Sequence, residues 1–124
     1  MEGYKPRVKI TKVIWKPPHR DWIICNTDGA SRGNPSRGLY GFCARNEERD
    51  IVQAQVEELG HITNIEAEAI AIWEALKWCE MTQRRQIIIQ TDSLILQKIL
   101  NDKWKPPWSI VEYIERIKQL VEDK

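Results

Sequence analysis

Residues Ile23-Ile24-Cys25-Asn26-Thr27-Asp28-Gly29-Ala30-Ser31 do more than any other stretch to limit what this chain can fold into. A short apolar run ends in a carboxylate, and the glycine- and proline-punctuated loop Arg32-Gly33-Asn34-Pro35 follows. Such a run, bounded by turn residues, reads as a buried strand with Asp28 at its end. In α/β sheets the carboxyl ends of buried strands are where ligands and metals bind. Asp-Gly is also a common hairpin turn. Here, however, the next strand-like run starts about ten residues later, at Leu39, too far for a tight hairpin.

At 124 residues the chain is sized for one domain with one core. Its 42% hydrophobic and 30% charged residues place it among globular rather than disordered or membrane chains. No apolar run approaches the roughly 20 residues needed to span a bilayer, and the N-terminus lacks the apolar core of a secretory signal. An intracellular protein, nuclear or cytoplasmic, with no membrane partner is expected. Cys25, Cys43 and Cys79 are odd in number and widely spaced, which indicates neither a disulfide framework nor a zinc site. The two histidines, His19 and His61, also lack a second ligand at metal-binding spacing. The net charge of +1 hides an asymmetry: residues 1–20 carry six Lys/Arg against Glu2 alone, the rest 13 basic and 17 acidic residues. A basic arm suits phosphate contacts, and equally a solvated leader. Residues 1–20 therefore read as a basic connector and 21–124 as the domain.

Within the connector, residues 8–14 have the composition of an edge strand until Pro17-Pro18 breaks it. Strands are expected over Trp22–Thr27, Leu39–Ala44 and Ile51–Val56, forming an antiparallel meander with the polar turn 46–50. Thr63-x-x-Glu66 is a capping box that starts a helix running from about Asn64 to Met81. At about 100° per residue, Glu66, Glu74, Lys77 and Glu80 share one side of it, and Ala71, Ile72, Ala75, Leu76 and Cys79 the other. Glu68 falls in the middle of the apolar arc. A carboxylate there is costly unless a hydrogen-bond partner or a metal compensates it. Gln86–Thr91 is a second continuous apolar run, ending in Asp92, and the helix before it makes it parallel to a strand of the meander. Asp92 also suits the N-cap of the helix that follows to about Leu100. Ser109-x-x-Glu112 is a second capping box, ahead of a last helix with Ile110, Val111, Ile114, Ile117 and Val121 on its apolar stripe.

Asp28 and Asp92 thus end strands of the same sense, and Glu68 lies near the start of the helix between them. If the strands are neighbours, about 4.8 Å apart, a right-handed crossover brings all three to one end of the sheet. Two Asp and one Glu without His or Cys make a hard-oxygen site suited to Mg²⁺ or Mn²⁺. Such sites serve two-metal phosphodiester hydrolysis.

The blocks Thr27-Asp28-Gly29-Ala30-Ser31-x-Gly33-Asn34-Pro35, Thr63-Asn64-x-x-Ala67-Glu68 and Thr91-Asp92-Ser93 resemble, in order and spacing, those of the type 1 ribonuclease H family. Trp15-x-Pro17-Pro18, Leu76-Lys77-Trp78 and Lys103-Trp104-Lys105-Pro106-Pro107-Trp108 are similar to its plant-type, retroelement-derived branch. The resemblance implies an α/β fold: a mixed sheet, an antiparallel meander of three strands plus a parallel strand, with flanking helices. It implies cleavage of RNA in RNA–DNA hybrids with Asp28, Glu68 and Asp92 as Mg²⁺ ligands. It further implies that Asn34 and Thr63 seat a phosphate and that Asn64 contacts the hybrid's minor groove, where the 2′-hydroxyls are displayed. Ile65 stands where the family has a second Asn, and Ser36 where it has a glycine. Nothing after Asp92 matches the family's fifth strand and last helix with a fourth aspartate; Asp102 and Asp123 lie in other contexts. Two expectations follow: activity that is low, Mn²⁺-favoured or absent, and an exposed edge at Ile87–Thr91 open to a second copy or a partner chain. The alternatives are an inactive binding module that keeps the fold and the carboxylates, and, more distantly, an exonuclease- or integrase-like relative.

Overall fold

The computed structural model describes residues 4–11, 21–31 and 36–121. Five strands, β1 (Arg7–Thr11), β2 (Trp22–Ser31), β3 (Ser36–Arg45), β4 (Ile51–Ile62) and β5 (Gln86–Thr91), form one sheet in the order β1-β5-β2-β3-β4. The strands β2, β3 and β4 are the antiparallel meander, and β5 runs parallel to β2. The helices α1 (Asn64–Met81), α2 (Leu94–Leu100) and α3 (Val111–Val121) share one core with the sheet. The architecture is the mixed α/β sheet with flanking helices that the sequence implied.

Alternation along the strands decides which face is covered. Ile23 and Cys25 of β2, Phe42 and Ala44 of β3, and Ile87 and Ile89 of β5 are buried against Ile72, Ala75, Leu76 and Cys79 of α1. Leu96 and Ile99 of α2 and Ile114 and Ile117 of α3 join the same cluster. The small residues Ala67, Ala71 and Ala75 let α1 lie close on the sheet. It starts at the expected capping box: the Thr63 hydroxyl accepts from the Glu66 N–H, and the Glu66 carboxylate accepts from the Thr63 N–H.

Four expectations need correction. The edge of β5 is not exposed, because β1 pairs along it in parallel, Arg7 opposite Gln86 through Thr11 opposite Gln90. Val8 and Ile10 turn into the core while Arg7 and Lys9 face out, so five residues of the basic segment belong to the sheet. The edge at Ile87–Thr91 is thus taken by β1 rather than left open to a second copy or a partner chain; residues 12–20 lie outside the described residues. The gap between β2 and β3 is shorter than ten residues, since both strands extend toward each other and leave 32–35 between them. The last helix is not entered through a Ser109 cap: Pro107 opens a 3-10 turn, Trp108–Ile110, that already contains Ser109. Finally, Ser93 rather than Asp92 caps α2, its hydroxyl accepting from the Leu96 N–H.

Candidate metal-binding active site

Two Thr-Asp pairs, one on each of two adjacent strands, set up the site. The last rung of the parallel β2–β5 ladder is Thr27 opposite Thr91. Both threonines are buried toward the helices, so the next residues, Asp28 and Asp92, emerge side by side on the other face. Neighbouring strands lie about 4.8 Å apart, within the span of two carboxylates sharing one ion. Side-chain hydrogen bonds lock this junction. The Thr27 hydroxyl donates to the Gln90 carbonyl at 3.4 Å, and the Thr91 hydroxyl accepts from the Ser93 N–H at 3.2 Å. The Gln97 side-chain amide donates to the Thr91 carbonyl at 3.0 Å. Asp28 lies one residue past the parallel ladder but not at the end of its own strand, because β2 continues to Ser31 paired with β3 alone.

The third carboxylate arrives from α1, and Gly29 is what admits it. A Cβ at Gly29 would stand 2.3 Å from the Ala67 carbonyl carbon and 2.4 Å from the Glu68 nitrogen. Helix and strand backbones therefore touch at the residue after Asp28 and at Glu68 itself. Glu68 is half-buried, and its carboxyl is pushed above its ordinary value of 4.5. Burial is the largest cause, followed by the negative charge of Asp28; a hydrogen bond from Ser93 opposes them, and Asp92 adds to them. One side chain thus feels both aspartates and is held by the residue that follows Asp92. Among the described residues no three His, Cys, Asp or Glu side chains enclose an ion-sized space. The donor set is entirely carboxylate oxygen, and it fits a hard divalent cation.

Beside the aspartates lies a polar cup of about 310 Å³ lined by Asn26, Thr27, Asp28, Gln90 and Asp92. Its floor is a cross-strand amide pair, Asn26 Nδ2 donating to Gln90 Oε1 at 2.8 Å. A larger recess of about 530 Å³ opens at the far end of the parallel strands, near Trp22, Arg84 and Arg85. It lies away from the three carboxylates, whereas the smaller cup is the one that Asp28 and Asp92 line. Of the expected substrate contacts, Thr63 and Asn64 stand exposed at the start of α1, Asn64 one turn before Glu68. The Thr63 hydroxyl is engaged with Glu66, donating to its carboxylate at 2.8 Å. Asn34 lies outside the described residues.

Sequence reasoning missed Gly29 as a contact point, Ser93 as a partner of Glu68, and the Asn26–Gln90 pair. The last was within reach: counting back two residues from each Thr-Asp aspartate gives the next rung on the same face.

Solved structures of similar shape include RNase H1 from the halophilic archaeon Halobacterium salinarum NRC-1, at 27% identity and TM-score 0.76, covering 81% of this chain and 76% of that one. LC11-RNase H1, from compost and in complex with an RNA/DNA hybrid, is 23% identical at TM-score 0.74, covering 79% of this chain and 75% of that one. The foamy viral protease–reverse transcriptase in complex with an RNA/DNA hybrid aligns at 20% identity and TM-score 0.64, over 80% of this chain and 15% of that one. No curated protein is significantly similar in sequence. The RNase H family pattern matches residues 20–123, a span that contains Asp28, Glu68 and Asp92, and the chain belongs to the RNase H family.

Proposed function

We propose that this protein is a divalent-cation-dependent endonuclease that hydrolyses the RNA strand of RNA–DNA hybrids. What supports this reading is that Asp28 and Asp92 line one cup, that both their charges act on the Glu68 carboxyl, and that α1 touches β2 at Gly29. Asp28, Glu68 and Asp92 would hold Mg²⁺ or Mn²⁺. Such cations activate a water for in-line attack on the phosphodiester and stabilise the departing 3′-oxygen. The chain's own part is positional. Thr27 and Thr91 fix the aspartates through partly buried hydrogen bonds, and Ser93 donates a hydrogen bond to the Glu68 carboxylate. Asn64, exposed one turn before Glu68, is placed to read the 2′-hydroxyls of the RNA strand. Thr63 and Asn34 would seat the neighbouring phosphate, Thr63 at an N-terminus that favours anions. The Lys103–Trp108 loop supports assignment to the plant-type, retroelement-derived branch.

The test is cleavage of an end-labelled hybrid in Mg²⁺ and in Mn²⁺, beside single-stranded RNA and duplex DNA. Internal cuts in the RNA of the hybrid alone are expected, stronger in Mn²⁺, and Asp28→Asn should reduce them by at least about 10²-fold. Cleavage that survives Asp28→Asn unchanged would sink the reading. The rival reading is a module that keeps the fold and the carboxylates and binds hybrid without turnover. Hybrid binding with no cleavage in either metal selects it.

A further inference from the structure

The two aspartates follow the last rung of the β2–β5 ladder, and the nearest rung on their own face of the sheet carries no charge. Asn26 and Gln90 are cross-strand partners in the parallel register, one rung below Thr27 and Thr91. Their side chains share the cup with Asp28 and Asp92, and their hydrogen bond at 2.8 Å fixes them as a unit. Both face away from the helices, on a sheet surface where the flanking β2 and β5 positions are Ile24 and Ile88. An amide pair between an apolar pair and an acidic pair is a polar device placed to face the cup.

Distance decides how it can act. Two residues along a strand span about 6.6 Å. Direct ligation needs an oxygen about 2.1 Å from Mg²⁺, out of proportion to that spacing for an ion centred between the aspartates. A metal-bound water adds a hydrogen bond of about 2.8 Å, giving a reach of about 4.9 Å, which side chains leaning along the strand can meet. Mg²⁺ keeps several waters when it is held by one or two carboxylates. We propose that the Asn26–Gln90 pair is an outer-sphere anchor: it accepts from water on the cation held by Asp28 and Asp92 and thereby sets that cation's affinity and place. This rests on the metal-dependent reading above. With its amide nitrogen turned to Gln90, Asn26 has its carbonyl oxygen as the acceptor. The pair is a positioning element, acting through the hydration shell rather than on the substrate.

The experiment is Mn²⁺ binding to the full chain without nucleic acid, followed by the electron paramagnetic resonance of free Mn²⁺. Asn26→Ala should weaken binding about tenfold, in the range found when outer-shell partners of metal sites are removed. Asn26→Asp, which keeps the acceptor, should bind at least as tightly as the wild type. Hexaamminecobalt(III), a cation that binds only through its ligand shell, should bind the wild type and lose affinity in Asn26→Ala. If Asp28→Asn loses Mn²⁺ while Asn26→Ala stays within twofold of the wild type, the anchor is refuted and the metal reading stands. If Asp28→Asn also binds as the wild type does, the metal reading itself fails. Should Asn26→Ala not fold, Asn26→Asp alone decides, and binding weaker than the wild type overturns the anchor.

Discussion

Glu68 shows how the site is held at a cost to the fold. Its carboxyl titrates above the ordinary 4.5, first because it is buried and then because Asp28 is negative. A group whose folded pKa is raised binds its proton more tightly in the native state. The stability linked to it is complete below the ordinary glutamate value and is lost as pH rises through the raised one. Glu68→Gln should therefore melt higher than the wild type, with a gap that is small near pH 4 and widens toward pH 8. Thermal melts across that range check this, and a gap independent of pH would exclude the electrostatic origin. Saturating Mg²⁺ should narrow the gap at neutral pH by stabilising only the wild type. Gly29 offers the complementary steric case. Gly29→Ala drives a Cβ into the Ala67 and Glu68 backbone, so α1 must lift off β2, at a cost of about 3 kcal/mol by denaturant unfolding. Gly60, whose added Cβ meets nothing within 4 Å, should accept alanine within about 0.5 kcal/mol.

Among the elements, β1 is the one whose role its own residues reveal least. The Arg7 N–H donates to the Arg85 carbonyl, so along a parallel ladder Lys9 also turns its N–H toward β5 while Val8 turns its N–H outward. Lys9→Pro should then cost about 1–2 kcal/mol more than Val8→Pro. Only the former should uncover β5 and drive self-association, visible by light scattering at rising concentration. Comparable stability and dispersity in the two variants would contradict this pairing. Local signals explain what the sequence did disclose. The start and end of α1 were legible because Thr63 and Glu66 form a reciprocal cap and the apolar positions follow a helical period. β5 was legible as an apolar run between turns. The seat of β1 was not, since its partner lies beyond residues 12–85 and no neighbouring residue encodes it. The Ser109 box failed because Pro107 admits a 3-10 turn first. At Asp92-Ser93 two adjacent residues could both cap a helix, and the hydrogen bond from the Leu96 N–H shows that Ser93 does so, leaving Asp92 to share a cup with Asp28.

For the molecule as a whole, the sheet is filled on one face and less so on the other. Leu39, Val52 and Val56 of β3 and β4 are exposed, Val56 at 74%, and no helix is long and apolar enough to cross a membrane among the described residues. The buried Cys25 and Cys79 bring their sulfurs to 3.7 Å between β2 and α1, and the Cys25 thiol is raised well above its usual range by that contact and by burial. Thiol-reactive probes should label Cys43 first and reach the buried pair only at the rate of opening, so Cys25 and Cys79 report on the integrity of the β2–α1 contact. Simultaneous labelling of all three in native buffer would contradict that burial. The place of β1 also has a temporal side. During synthesis Arg7–Thr11 leaves the ribosome long before Gln86–Thr91, its only strand neighbour among the described residues, exists. The docking of that first strand must therefore be among the final events of folding, and truncating Val8 should quicken unfolding while leaving the refolding rate nearly untouched.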